Sequence, residues 1–178
     1  ARGALVAMTR ERGDDDLEAN SLRNRVATML QELGHYDEAE VMFRQSLAID
    51  EKVLGENHPS VATALNNLAE LLRAQNKLDE AEPMLRRALA IRKNALGENH
   101  PSVAESLGNL ANLLKAQNKL DEAEPIYRRA LTIFENALGE DHPNAATSRG
   151  NLGELLDAKA RQLDEAGASD PAALARIY

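Results

Sequence analysis

A 42-residue period governs this chain. LGENHPSV stands at residues 54–61 and again at 96–103, and a near copy, LGEDHPNA, at 138–145. AQNKLDEAEP recurs in the same way at 74–83 and 116–125. Shifting the sequence by 42 residues lays 61–96 over 103–138 almost without a break. Residues 19–53 fit the frame more loosely, and 143–166 supply a fourth copy with one extra residue. Such a period implies stacked units that bury their apolar faces against neighbours, in place of one central core.

Each copy carries two helical patterns. Val61, Leu65, Leu68 and Leu72 recur at helical spacing in the first, and Ala81, Leu85, Ala88 and Leu89 in the second. First helices are expected near 18–33, 59–75, 101–117 and 143–160, and second helices near 37–54, 79–96 and 121–138. AQNKLD between them is short enough only for a tight turn. Asp79 and Glu82, with Asp37/Glu40 and Asp121/Glu124, suit the positive end of the second helices. In the LGENHP phrase, Gly55 is expected to end one helix in the left-handed conformation. Asn57 or His58 then caps the next helix, and Pro59 fits its first turn.

His58, His100 and His142 share one register and invite a metal reading. Stacked repeats hold equivalent residues about 10 Å apart, whereas zinc bonds are about 2 Å long. The helix-junction reading is therefore preferred, and no metal or cofactor is expected. The chain has no cysteine, which removes thiol chemistry and fits a reducing, cytoplasmic compartment. Its net charge of −8 and its aromatic content of 3% argue against nucleic-acid binding. No apolar run reaches membrane-spanning length. No nucleophile has a recognisable base partner and no glycine loop cradles phosphate, so an enzyme is not expected.

Small residues recur where paired helices would touch: Ala69, Ala81 and Ala88, then Ala111, Ala123 and Ala130. The first copy has Ala27, Ala39 and Ser46; the fourth has Gly153, Ala166 and Ala173, the last two after a one-residue shift. With NLAELL and LDEAEPMLRRAL around them, the copies resemble the tetratricopeptide repeat. That family has a 34-residue unit. The longer unit here resembles the kinesin light chain type, over about residues 17–166. The resemblance implies an all-α solenoid, a right-handed superhelix of stacked antiparallel helix pairs. The expected division is 14–54, 55–96, 97–138 and 139–178 for the four repeats. Residues 1–13 read as the second-helix remnant of a preceding copy in a longer array, the alternative being a simple N-terminal capping helix. Asp170 and Pro171 predict a short capping helix whose Ala173, Leu174 and Ile177 cover the last repeat.

The resemblance also implies function. In kinesin light chain-like repeats, asparagines of the first helix contact extended peptides. That role maps onto Asn67 and Asn109, and onto Asn151 in the poorer context NLGELL, while Arg25 interrupts the ladder. A side-chain amide both donates and accepts, so it suits a peptide backbone of any sequence. The expected concave site comprises Arg25, Asn66, Asn67, Glu70, Arg73, Asn109, Asn112, Lys115 and Asn151. Arg73 and Lys115 are expected to meet acidic residues of the peptide. The partner is thus a protein or peptide, bound by a monomeric scaffold or adaptor segment. The alternative is a structural or oligomerisation array with no peptide ligand of its own.

Overall fold

The computed structural model describes residues 2–13 and 15–165. Among the described residues there are eight helices and no strand: α1 Arg2–Arg12, α2 Leu17–Glu32, α3 Tyr36–Leu54, α4 Pro59–Ala74, α5 Leu78–Leu96, α6 Pro101–Ala116, α7 Leu120–Leu138 and α8 Pro143–Glu165. Contacts divide the chain into two compact units between Glu98 and Asn99. In the first unit α1 packs on α2, α2 on α3, α3 on α4 and α4 on α5, with α2 also beside α4. In the second, α7 packs on both α6 and α8, and α6 also touches α8. None of the described helices is long and apolar enough to cross a membrane.

The junction phrase works through backbone chemistry that only certain residues supply. Gly55, Gly97 and Gly139 end α3, α5 and α7 with φ of 89°, 83° and 94° and ψ of 152°, 157° and 155°. This is not the left-handed helical conformation expected. It is the extended positive-φ region that is essentially closed to residues with a Cβ. His58 and His100 then cap α4 and α6, their Nδ1 atoms accepting from the N–H of Ser60 and Ser102 at 3.2 and 3.1 Å. His142 does the same for Asn144 at 3.1 Å. Each imidazole nitrogen thus satisfies one of the N–H groups that a helix start leaves open.

The turn inside each repeat needs positive φ as well. Gly34 has φ 79°, and Asn76 and Asn118, one and two periods on, have φ 60°. The fourth copy has Ala160 in that register, and alanine disfavours this conformation. Accordingly α8 runs on to Glu165 instead of ending near 160. The capping helix expected from 171, with Ala173, Leu174 and Ile177, lies outside the described residues.

The small residues sit where the helices meet. Ala27, Ala39, Ser46, Ala69, Ala81, Ala88, Ala111, Ala123 and Ala130 are all 0% exposed. Gly153, in the register of Ala27, Ala69 and Ala111, is exposed instead; α8 passes straight through the turn, and among the described residues no second helix follows to cover it. Ala166 lies outside the described residues. Within the first unit Val61, Ala62 and Leu65 of α4 pack with Ala88 and Ile91 of α5, and Leu47 of α3 joins them. Leu65, Leu68, Leu72, Leu85, Leu107, Leu110, Leu114 and Tyr127 are buried as their spacing predicts. Leu89 and Leu131, expected in the core, are only half-buried. The buried stripe passes through Ala88 and Ile91, and through Ala130 and Ile133, which leaves the intervening leucine at its edge.

Candidate functional site

The first helices α2 and α4 flank a concavity of ≈ 360 Å³ in the first unit. Ser21, Asn24 and Arg25 come from α2, Asp50 and Leu54 from the end of α3, and Ser60, Thr63 and Asn67 from α4. Asp50 is 6% exposed and accepts from Asn20 Nδ2 at 2.8 Å. The same Asn20 nitrogen reaches the Ser46 carbonyl, and Asn20 Oδ1 accepts from Arg23 NH1 at 3.0 Å. Asn24 Nδ2 donates to Ser46 Oγ at 2.5 Å, while its Oδ1 is buried with no hydrogen-bond partner among the described residues. Burial pushes the Asp50 carboxyl above the usual range, against smaller lowering effects of Asn20 and His58.

A second concavity, ≈ 250 Å³, lies in the second unit between α6 and α8. Its lining is the first one translated by two periods. Asn109 stands for Arg25, Asn151 for Asn67 and Thr147 for Thr63, but Gly108 replaces Asn24, Ala104 replaces Asn20 and Phe134 replaces Asp50. At these three inner positions the first unit is polar and anionic and the second apolar, while Glu105 lines the second concavity where Ser21 lines the first.

Each expected site residue has a definite place. Asn67, Asn109 and Asn151 are half-buried, line these concavities, and make no hydrogen bond with described residues. Arg25 is exposed on the first concavity and is likewise unengaged. Asn66 is a correction. It is 6% exposed, because it lies about 100° round the helix from Asn67 and faces inward. Asn112 lines the second concavity, and its Oδ1 accepts from Tyr127 Oη at 2.5 Å, which ties it to α7. Glu70 and Arg73 hold each other, through Nε at 3.0 Å and a terminal nitrogen at 2.5 Å. Lys115 Nζ donates to Glu154 at 2.8 Å and lowers the Glu154 pKa. Both cationic positions expected to meet an acidic peptide are thus occupied by carboxylates of this chain.

The sequence placed Asn24 on the concave face but gave no role to Asn20, Asp50 and Phe134. A signal was present: the register 50, 92, 134 reads Asp, Arg, Phe, a wide chemical change at a position buried in all three copies.

The helix pairs, their alanine contacts and the polar first-helix faces define a helical-repeat protein of the kind that displays a binding surface. The chain belongs to the tetratricopeptide repeat family, whose model matches residues 17–94, 78–136 and 102–167. Solved structures with the same fold include kinesin light chain-like repeat proteins. BtubC (BKLC) from P. vanneervenii is 28% identical, with a TM-score of 0.78 over 99% of this chain and 69% of that one. A candidate kinesin light chain from Podosopora anserina, with nearly identical TPR-like repeats, is 23% identical, with a TM-score of 0.75 over 92% and 77%. The N-terminal domain of stress-induced protein-1 from C. elegans is more distant, 18% identical with a TM-score of 0.56 over 78% and 94%. Among curated protein sequences there is no match. Tetratricopeptide repeats are generally protein–protein interaction modules, and the fold is typically a non-enzymatic scaffold.

Proposed function

We propose that the chain is an adaptor segment that binds an extended peptide of a partner protein along its first helices. The observation that carries this is the set of Asn67, Asn109 and Asn151. They share one register, line the two concavities and keep their amides unengaged. Asparagine is a poor helix-interior residue, so helix propensity does not explain three of them. Amides pair with peptide N–H and C=O groups, and the resulting recognition tolerates many side chains. Arg73 and Lys115 contribute less to selection than their charges suggest, because Glu70 and Glu154 hold them.

A random peptide library screened against the wild type and against Asn67→Ala, Asn109→Ala tests the proposal. Each neutral hydrogen bond contributes about 0.5–1.5 kcal/mol, so the double change should weaken binders about five- to a hundredfold. Circular dichroism should show unchanged helix content. Binders indifferent to the double change would move the site off these faces. We propose that the segment acts as a monomer, and multi-angle light scattering showing a larger assembly would favour a structural array instead.

A further inference from the structure

We propose that the concavity of the first unit is a subsite for a lysine or arginine side chain of the bound peptide, received by Asp50 and Asn24. The inference rests on the peptide-binding reading and adds a side-chain preference to it. Asp50 is buried, and the hydrogen bond it receives comes from a neutral amide, Asn20. A carboxylate offers about four acceptor sites, so most of its capacity is unused. The nearby buried guanidinium does not fill it, since Arg23 donates to Asn20 Oδ1 instead. Asn24 Oδ1 adds a second buried acceptor, without a partner among the described residues, on the same wall. Two unfilled acceptors, one of them charged, are costly in a low-dielectric setting. A cationic donor answers both, and charge-assisted bonds are the strong ones. Leu17, Leu54 and Ala64 supply apolar wall for the methylene stem that such a side chain carries.

The equivalent site of the second unit sharpens the point. With Ala104, Gly108 and Phe134 in place of Asn20, Asn24 and Asp50, the buried acceptors of the first site are missing there, and the carboxylate that lines it, Glu105, is exposed. Recognition of the backbone by the asparagines is common to both units, whereas a buried carboxylate on the wall belongs to the first alone. Arg25 stays exposed at the first site, a like charge to the side chain proposed, and makes no ion pair with Asp50.

The test is a random peptide library selected in parallel on the wild type, on Asp50→Asn and on Asn67→Ala, Asn109→Ala. The Asp50→Asn change keeps an acceptor for Asn20 but removes the charge and turns the other carboxylate oxygen into an amide donor. Wild-type binders should be enriched in Lys or Arg at one position. Asp50→Asn should lose that enrichment and bind the same peptides roughly ten- to a hundredfold more weakly. Arg25→Ala should strengthen them, most at low salt. If circular dichroism shows Asp50→Asn misfolded, Asn24→Ala takes its place and should also weaken the basic preference. Binders without basic enrichment, or with enrichment that survives in Asp50→Asn, overturn the subsite. In that case sensitivity to the asparagine double change still supports the groove itself. A library that yields no binder overturns both.

Discussion

Lys77, in the turn before α5, donates from Nζ to Glu40 Oε2 of α3 at 2.8 Å, joining one repeat to the next. Glu40 also receives two bonds from Arg44 four residues on, at 3.1 and 2.8 Å. The i to i+4 pair recurs as Glu82 with Arg86 and Glu124 with Arg128. In the second unit Glu124 takes its further cation from Lys159 of α8 at 2.6 Å. Lys159 lies not in a turn but in the helix that continues where a turn was expected, so a different residue completes the same junction.

Glu40 makes this junction pH-dependent. The Lys77 bond, chiefly, holds its pKa at about 2, against 4.5 for an unperturbed glutamate. A folded-state pKa below the unfolded one gives a stabilisation that is complete above about 4.5 and lost as pH falls towards 2. The stability gap between wild type and Glu40→Gln should therefore be widest at neutral pH and close on acidification. Urea unfolding curves across that range check it, and a gap independent of pH would count against the junction.

Gly97 ends α5 in a conformation that side chains do not tolerate, with φ 83° and ψ 157°. A Cβ there would meet no heavy atom within 4 Å, so any penalty must come from the backbone itself. Gly97→Ala should destabilise the protein by about 1–3 kcal/mol. D-alanine at 97, installed by ligation, should restore most of that loss, because its mirror-image preference allows positive φ. Equal melting of the two alanine proteins would disprove the backbone argument.

Ala81 and Ala123 are wholly enclosed between paired helices. Ala81→Leu or Ala123→Leu should destabilise by about 1–3 kcal/mol through overpacking. Ala90→Leu, at an exposed position of α5, serves as the control and should change little. Thermal melts that do not separate these variants would contradict the close approach assigned to the small residues.

Much of the fold was legible because the repeat states its own punctuation. The period marks the units, glycine marks the helix ends, and histidine and proline mark the helix starts. These signals are local, acting within one turn of backbone, so the helix bounds fall within about a residue of expectation through α7. The continuation of α8 was readable in principle, since Ala160 stands where Gly34, Asn76 and Asn118 carry positive φ.

By itself the sequence determined the repeat, its helix pairs, the alanine contacts and the asparagine register, since each follows from spacing along one chain. Tertiary structure decided which polar groups remain available. It turned Asn66 inward while Asn67 faces a concavity, and it occupied Lys115 with Glu154 of α8, whereas the pairing of Arg73 with Glu70 is local to α4. It also brought Asp50 from the end of α3 to the wall between α2 and α4. The physical reason is that a side chain's capacity to bind is set by what its neighbours have already satisfied. Some of those neighbours come from other helices, 39 residues away in the pair of Lys115 and Glu154.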